Sequence, residues 1–222
     1  MSGYPDHETY KALYKRFYDG RQPKELIDLV GNINNKAILD MCGGDGRLSL
    51  EALKLGARQV FYMDEEPKME SPELKDAYAK DLRLFAKSDS AIPFLEMISN
   101  SAWKFDAIFC QQAVNYWLDE YTGNMVASAL NKNGLFIFNT FNKKPPDIPK
   151  VKEYELEGKK FVEASWMFND IVHHVQIREG LPPHTTSFQW LSPEYLEKIL
   201  SPYFSITVQN DGSSAIYRCS KK

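Results

Sequence analysis

The sequence has 222 residues, enough for one α/β domain that buries a full hydrophobic core. Its formal net charge of −3 at pH 7 disfavours nucleic acid as a partner, because nucleic-acid-binding domains usually carry a surplus of basic residues. No apolar run approaches the length of a membrane span, and the three scattered cysteines favour a reducing compartment. We therefore expect a cytoplasmic protein with no membrane association. We also expect no metal, since no His or Cys cluster has metal-ligand spacing.

Two short helices are predicted ahead of the first strand. Ala12, Leu13 and Phe17 recur at helical spacing within a tyrosine-rich stretch, which indicates an amphipathic helix. Pro23 is typical of a first helical position, and Gly31 is typical of the residue that follows a helix. Residues 1–35 are therefore expected to form a helical cap.

The stretch that follows Asp40 organises the rest of the chain. An apolar run predicts a short buried strand that ends at Asp40. Glycines come next, at Gly43, Gly44 and Gly46, and a helical pattern of apolar residues begins at Leu48. This order predicts a nucleoside- or phosphate-binding turn in an open parallel sheet, where glycine lets the backbone turn sharply and lets a ligand pack directly on it.

Acidic residues disfavour a polyanionic ligand at this turn. Ser49 stands where the dinucleotide pattern G-x-G-x-x-G needs its third glycine, and Asp45 would repel a pyrophosphate. The carboxylate of Asp40 instead suits a ligand with positive charge, such as the amino group or sulfonium of S-adenosylmethionine.

Residues 39–46 resemble motif I of the class I S-adenosylmethionine-dependent methyltransferases, whose pattern is roughly L-D-x-G-x-G-x-G. Cys42 replaces the first glycine of that pattern. The resemblance implies S-adenosyl-L-methionine as the cofactor. It also implies that the turn contacts the cofactor through Asp40, Cys42, Gly43, Gly44 and Gly46.

Carboxylates at the ends of the second and third predicted strands suit an adenosine ligand. The second strand ends at Asp64 and Glu65, where a carboxylate would take both ribose hydroxyls. The resemblance implies that an aspartate after the third strand binds the adenine amino group. We favour a strand over residues 82–87 with Asp89 in that role; a strand over residues 77–80 would give the role to Asp81.

The fourth predicted strand and the amino-terminal segment supply further candidates. The Phe-Asp start of the strand at residues 105–110 resembles the family's fourth strand, and the loop after it lines the reaction centre. This places Gln111 near the cofactor. Related methyltransferases often begin with a tyrosine-rich lid, so Tyr18 and Arg21 are candidates for the cofactor carboxylate, Arg21 because a guanidinium forks onto carboxylates.

The remaining segments complete the expected sheet. A turn at residues 131–134 leads into a fifth strand, and residues 142–190 read as an antiparallel β insertion, which in similar small-molecule methyltransferases covers the substrate. Residues 191–222 read as a last helix and a terminal β-hairpin that turns at residues 210–212. That hairpin is a mark of the methyltransferase sheet, and dehydrogenase folds lack it.

We therefore expect one domain over residues 1–222, an α/β fold with a Rossmann-like seven-stranded sheet, its cofactor-binding core at residues 36–141. The resemblance implies methyl transfer by in-line displacement to nitrogen or oxygen of a small polar molecule. His174 and Tyr116 are the catalytic candidates. Because adjacent strand residues face opposite sides, at most one of His173 and His174 faces the acceptor. The other acceptor-pocket candidates are Gln111, Asn115, Trp166 and Arg178.

Three alternatives stay open. The first is an RNA or protein methyltransferase, although the loop after the fourth strand lacks the D/N/S-P-P-Y/F/W pattern of amino-methylating nucleic-acid enzymes, and no Pro-Cys pair occurs. The second is a catalytically inactive cofactor-binding protein that works through a partner. The third is an NAD enzyme, which Ser49 and the terminal hairpin disfavour.

Overall fold

The computed structural model describes residues 6–13, 23–211 and 214–222. The chain divides into two compact units, one of residues 22–142 and 191–222 and the other of residues 1–21 and 143–190. Tyr18 and Arg21, the candidates for the cofactor carboxylate, lie outside the described residues.

The described part of the chain alternates helices and strands along much of its length. Its helices are α1 (His7–Leu13), α2 (Pro23–Asp28), α3 (Arg47–Lys54), α4 (Pro72–Lys80), α5 (Ala91–Ser99), α6 (Glu120–Ala129) and α7 (Pro193–Leu200). Its strands are β1 (Ala37–Met41), β2 (Gln59–Asp64), β3 (Leu84–Ser88), β4 (Phe105–Gln111), β5 (Leu130–Phe141), β6 (Lys150–Leu156), β7 (Lys159–Phe168), β8 (Ile171–Arg178), β9 (His184–Gln189), β10 (Phe204–Asp211) and β11 (Ser214–Lys221).

A seven-stranded sheet forms the centre of the larger unit, in the order β3-β2-β1-β4-β5-β11-β10. Strands β1 to β5 are parallel, whereas β11 runs antiparallel between β5 and β10. This arrangement confirms the predicted Rossmann-like sheet, its terminal hairpin and the β insertion after the fifth strand.

Helices cover both faces of this sheet. Successive side chains of β1 point to opposite faces, so they pack against the two helical layers in turn. Ile38 packs into a buried cluster with apolar residues of α2, α3 and α4. Leu39 packs into a second cluster with residues of α5, α6 and α7. The next residue on the Ile38 side is Asp40, so its carboxylate faces the helices that include α3.

The position of the third strand decides which of the two predicted registers is right. Residues 77–80 belong to α4, so the register that made them a strand is wrong. Pro72 starts that helix, and the Ser71 hydroxyl caps it by accepting from the Leu74 amide at 3.1 Å. The strand is β3, and Asp89 follows it directly.

The predicted turn at residues 131–134 is instead part of β5. Phe105 pairs with Leu130 and Ala107 with Leu135, so the register between β4 and β5 shifts and the extra residues bulge out. Asn133 takes a left-handed φ of 64° within this bulge. A β-bulge therefore occupies the position at which the sequence pattern predicted a turn.

The smaller unit holds a four-stranded antiparallel sheet in the order β6-β7-β8-β9, and α1 packs against β8. The amino-terminal segment thus divides: α1 groups with the insertion, and α2 groups with the large sheet. None of the helices in the described ranges is long and apolar enough to cross a membrane.

We expect Gly46→Ala to cost about 2–4 kcal/mol of unfolding free energy, measured by urea titration. Gly46 has φ +79°, and an added Cβ would lie 2.5 Å from Leu74 Cδ2, so backbone strain and overpacking add. Gly31→Ala is the matched control in the same unit. With φ +78° and open space around its Cβ, it should cost only about 1 kcal/mol. Equal losses of unfolding free energy in the two variants would contradict a contribution from overpacking against Leu74.

Candidate functional site

The turn after β1 repeats a left-handed conformation at alternate residues. Cys42, Gly44 and Gly46 have φ of 55°, 56° and 79°. These are the three glycine positions of the methyltransferase pattern, so Cys42 adopts the conformation that the pattern reserves for glycine. Holding a cysteine there costs of order 1–3 kcal/mol, strain of the kind that collects at ligand-binding turns.

Asp40 anchors this turn from inside the protein. Its side chain is only 1% exposed, and its Oδ2 accepts from the Ser49 hydroxyl at 2.7 Å and from the Ser49 amide at 3.1 Å. Gly46, the N-cap residue of α3, has no side chain with which to cap the helix, so Asp40 supplies the missing acceptor from β1. Burial raises the pKa of Asp40 to about 7 against the opposing effect of the Ser49 bonds.

Asp64, at the carboxyl end of β2, holds the other side of the turn. Its Oδ2 accepts from the Gly44 amide at 2.9 Å, and its Oδ1 accepts from the Glu66 amide at 2.9 Å. Burial raises the pKa of Asp64. The neighbouring Glu65 is exposed and makes no hydrogen bond or ion pair within the described residues, so its carboxylate is available to a ligand.

The sequence analysis did not identify Tyr62 as a site residue, yet its side chain contacts the glycine turn directly. Its hydroxyl donates to the Gly44 carbonyl at 2.7 Å. A Cβ on Gly43 would lie 2.7 Å from the Tyr62 ring and 2.9 Å from Asp40 Oδ2, so only glycine fits there. No local pattern marks Tyr62, because it reads as one more apolar residue of a buried strand.

The two aspartate candidates for adenine lie at opposite ends of β3. Asp89 follows the carboxyl end, where its amide donates to the Asp64 carbonyl at 3.1 Å. A hydrogen bond from Lys87, 2.8 Å away, lowers the pKa of Asp89. Asp81 precedes the strand and pairs with Arg83 at 2.6 Å. The structure thus brings Asp89, not Asp81, beside Asp64.

A cavity of about 430 Å³ lies along β3, but none of the glycine-turn residues line it. Its walls are formed by Glu70, Tyr78 and the residues of β3. The cavity therefore adds nothing to the case for a ligand at the turn.

The loop after β4 is pinned to the end of β5. Gln112 has a left-handed φ of 62°, and its amide donates to Asn139 Oδ1 at 2.9 Å. The Thr140 hydroxyl donates to Asn115 Oδ1 at 2.6 Å. Asn115 is buried by this contact, whereas Tyr116 is 47% exposed. Gln111 ends β4 in the row of strand ends that also holds Asp64.

Cys42 and Cys110 lie together beneath the turn. Their thiols share a hydrogen bond, which with burial raises the pKa of Cys42 well above its ordinary value. The Cys42 thiol therefore remains protonated at neutral pH, and the structure gives Cys42 a packing role against the core.

In the smaller unit the two faces of the sheet separate the predicted pocket residues. His174 and Arg178 share one face, and the Ser165 hydroxyl lies 2.7 Å from His174 Nδ1. Trp166 lies on the opposite face, stacked on His173 with ring centroids 5.2 Å apart. The grouping of Trp166 with His174 is therefore wrong, because the register puts them on opposite sides of the sheet.

Solved structures match almost the whole chain, whereas no protein-family model and no curated protein sequence matches it. An S-adenosylmethionine-dependent methyltransferase from Clostridium acetobutylicum ATCC 824 matches with a TM-score of 0.71 and 18% identity, over 96% of this chain and 98% of that one. S-adenosylmethionine-bound CalS10, an amino pentose methyltransferase from Micromonospora echinaspora, matches with a TM-score of 0.68 and 14% identity, over 94% and 96%. An S-adenosylmethionine-dependent methyltransferase from Mesorhizobium loti matches with a TM-score of 0.62 and 17% identity, over 91% and 99%.

The chain has the class I methyltransferase fold. The resemblance of residues 39–46 to motif I is thereby confirmed at the level of fold, since β1, the left-handed turn and α3 occupy the places that the motif predicts. In this methyltransferase fold the carboxyl ends of the parallel strands face the ligand crevice. Asp64, Asp89 and Gln111 all stand at such ends.

We expect Asp40→Asn to flatten the dependence of stability on pH. The folded pKa of Asp40 is about 7, above its ordinary value of 3.8, so between these values the folded state holds a proton that the unfolded state has lost. Wild-type stability should therefore fall as pH rises from about 4 to about 7, by at most about 4 kcal/mol through this group. Urea titrations at pH 5 and pH 8 measure the loss. Equal losses in wild type and variant would show that Asp40 does not titrate in this window.

Proposed function

We propose that the protein is an S-adenosylmethionine-dependent methyltransferase that moves a methyl group to nitrogen or oxygen of a small polar molecule. One observation carries this proposal. The left-handed glycine turn after β1 lies beside a row of carboxylates at the ends of β2 and β3, within a sheet of methyltransferase order. The proposal keeps S-adenosyl-L-methionine as the cofactor and a small molecule as the partner.

The charges around the turn favour S-adenosylmethionine over a dinucleotide. The Arg47 guanidinium forms an ion pair with Asp45 at 2.8 Å. The carboxylate of Asp45 therefore balances the one cation of the turn that could attract a pyrophosphate. Asp64 adds a further carboxylate beside the turn, bonded to the Gly44 amide. A ligand with an amino group and a sulfonium is attracted to such a site, whereas a diphosphate is repelled.

The residues present fit this cofactor. Gly44 faces open space, since a Cβ added to it would have no neighbour within 4 Å, so a ligand can pack on the backbone there. Glu65 and Asp64 would accept from the ribose hydroxyls, and Asp89 from the adenine amino group. Gln111 and the turn residues Cys42, Gly43 and Gly46 would complete the cofactor contacts. When bound, S-adenosylmethionine supplies an electrophilic methyl group on its sulfonium.

The role of the chain in such a reaction is chiefly to position the acceptor and manage its proton. Positioning of this kind supplies a large share of the acceleration in a displacement reaction. Burial lowers the pKa of His174, so its imidazole is neutral at pH 7 and can accept a proton. In the tautomer in which Nδ1 donates to the Ser165 hydroxyl, Nε2 is the nitrogen that would take it. Tyr116, exposed in the loop after β4, is the second catalytic candidate.

Two further observations support the small polar acceptor and a cytoplasmic location. CalS10, one of the structural neighbours, is an amino pentose methyltransferase, which makes a sugar amine one of the acceptors to test. The cysteines Cys42, Cys110 and Cys219 are all free thiols, as is usual in the reducing cytoplasm.

We expect calorimetric titration to show micromolar binding of S-adenosylmethionine and S-adenosylhomocysteine and no binding of NAD. Glu65→Ala should weaken both sulfur nucleosides by about tenfold, because it removes an accepting carboxylate without touching the turn. Glu73→Ala, at an exposed position of α4, is the control and should bind as wild type does. Binding of NAD alone, or of none of the three, would overturn the proposed cofactor.

We also expect Asp89→Ala to weaken S-adenosylhomocysteine by about tenfold and Asp81→Ala to leave it unchanged. Both side chains pair with a neighbouring cation, so the comparison is matched in charge and exposure. The same calorimetry measures both. Loss only in the Asp81 variant would reverse the assignment of the adenine contact.

A further inference from the structure

The small sheet turns its more apolar face toward solvent. Side chains of β7 and β8 alternate between two faces, and the buried face carries Phe161, Met167 and Val172 together with the polar Glu163 and Gln176. On the opposite face the residues of both strands are half-buried or exposed, although most of them are apolar. We call this side the apolar face; in β7 and β8 it carries Val162, Trp166, Phe168, Ile171, Val175 and Ile177.

The apolar face exposes large side chains that have no packing partner in the chain. Phe168 is 66% exposed, and Ile171 and Ile177 are exposed as well. Val151 of β6, opposite Ala164 in the register, extends the face and is 57% exposed. The solvated face of an antiparallel sheet is usually polar, and a contiguous exposed apolar patch of more than a few hundred Å² marks an interaction site. We therefore expect this face to be covered in solution.

Charged side chains are confined to the margin of the apolar face. On this face residues 162–168 and 171–177 include no Asp, Glu, Lys or Arg. The polar member among them, His173, is stacked on Trp166 and has its Nδ1 3.0 Å from the Ser187 hydroxyl. An apolar centre within a polar margin is the anatomy of a protein–protein interface. The margin holds Glu153 of β6, Lys160 near the start of β7, and Thr185, Ser187 and Gln189 of β9.

The size and flatness of the apolar face favour one kind of partner. Four strands spaced about 4.8 Å apart, each about eight residues long, present an area of about 19 by 26 Å, or about 500 Å². An α-helix is about 10–12 Å wide and would cover only about half of that width. The sheet of a second copy would cover all of it. Two copies would then bury about 1,000 Å² together, which is the area that a specific interface needs.

We propose that two copies of this chain pair through the apolar face, with the small sheet of one packed on the small sheet of the other about a two-fold axis. A two-fold interface uses the same patch on both subunits, so the apolar centre of one copy meets the apolar centre of the other. Sheets that pack face to face lie about 10 Å apart with strand directions within about 30° of each other, and their side chains interdigitate. The pairing does not depend on the proposed cofactor or acceptor.

Sedimentation equilibrium of the full chain, without cofactor and over a range of micromolar concentrations, tests the pairing. We expect wild type to reach twice the mass of one chain. The double variant Phe168→Lys/Ile177→Lys should be monomeric at the same concentrations, because pairing would bury four unpaired ammonium groups. Leu82→Lys, at a position 93% exposed in the larger unit, is the control and should remain dimeric. A monomeric wild type, as when a different protein covers the face, would overturn the proposal, and so would a dimer that persists in the double variant.

Hydroxyl-radical footprinting of wild type locates the interface without relying on a variant that must fold. Oxidation of Phe168 and Ile171, read by mass spectrometry, should fall severalfold between a dilute monomeric sample and a concentrated dimeric one. Tyr121, which is exposed on α6, should be oxidised equally in both samples. Dimeric protein in which Phe168 and Ile171 are oxidised as readily as in the monomer would place the interface on another surface and refute the pairing.

Discussion

The bond between the Asp40 carboxylate and Ser49 is the constraint on which the larger unit depends. A carboxylate buried at the end of the first strand must be hydrogen-bonded, and the first turn of α3 offers unsatisfied amides that need an acceptor. The bonds between Ser49 and Asp40 satisfy both the carboxylate and a helix amide, and they link β1 to α3 across the glycine turn. Gly43 then lies between Asp40 and the Tyr62 ring, so the path of the turn has little freedom left.

This construction also sets the electrostatic character of the crevice. Asp45 and Asp64 raise the pKa of Asp40 further, so the acids around the turn disfavour one another's charge. A cationic ligand bound at this turn would relieve such repulsion. The amide of Gly44 is already given to Asp64, so this turn offers fewer amides to a phosphate than a dinucleotide-binding turn does.

Much of this fold could be predicted because its signals are local. Strand, turn and helix alternate with clear caps, and the favoured of the two registers for the third strand, the one with Asp89 after it, agrees with β3. The left-handed φ of Cys42, the support from Tyr62 and the partner of Asp40 could not be predicted, since they depend on contacts between distant strands. The face occupied by Trp166 was missed for the same reason: alternation gives two faces, and only the register tells which one is buried.

Each unit buries an acid that receives two hydrogen bonds on one oxygen, and the two acids differ in the residues that donate them. Asp40 receives two hydrogen bonds on one oxygen from a single residue of the adjoining helix, and it thereby completes a helix cap. Glu163 also receives two bonds on one oxygen, but they come from Tyr154 and Gln176, and Gln176 itself is left with a buried amide oxygen that nothing satisfies. A complete polar network stabilises a fold, whereas an incomplete one costs free energy unless a ligand completes it. The buried oxygen of Gln176 therefore leaves the polar network of the small sheet incomplete, whereas the Asp40 carboxylate completes the cap of α3.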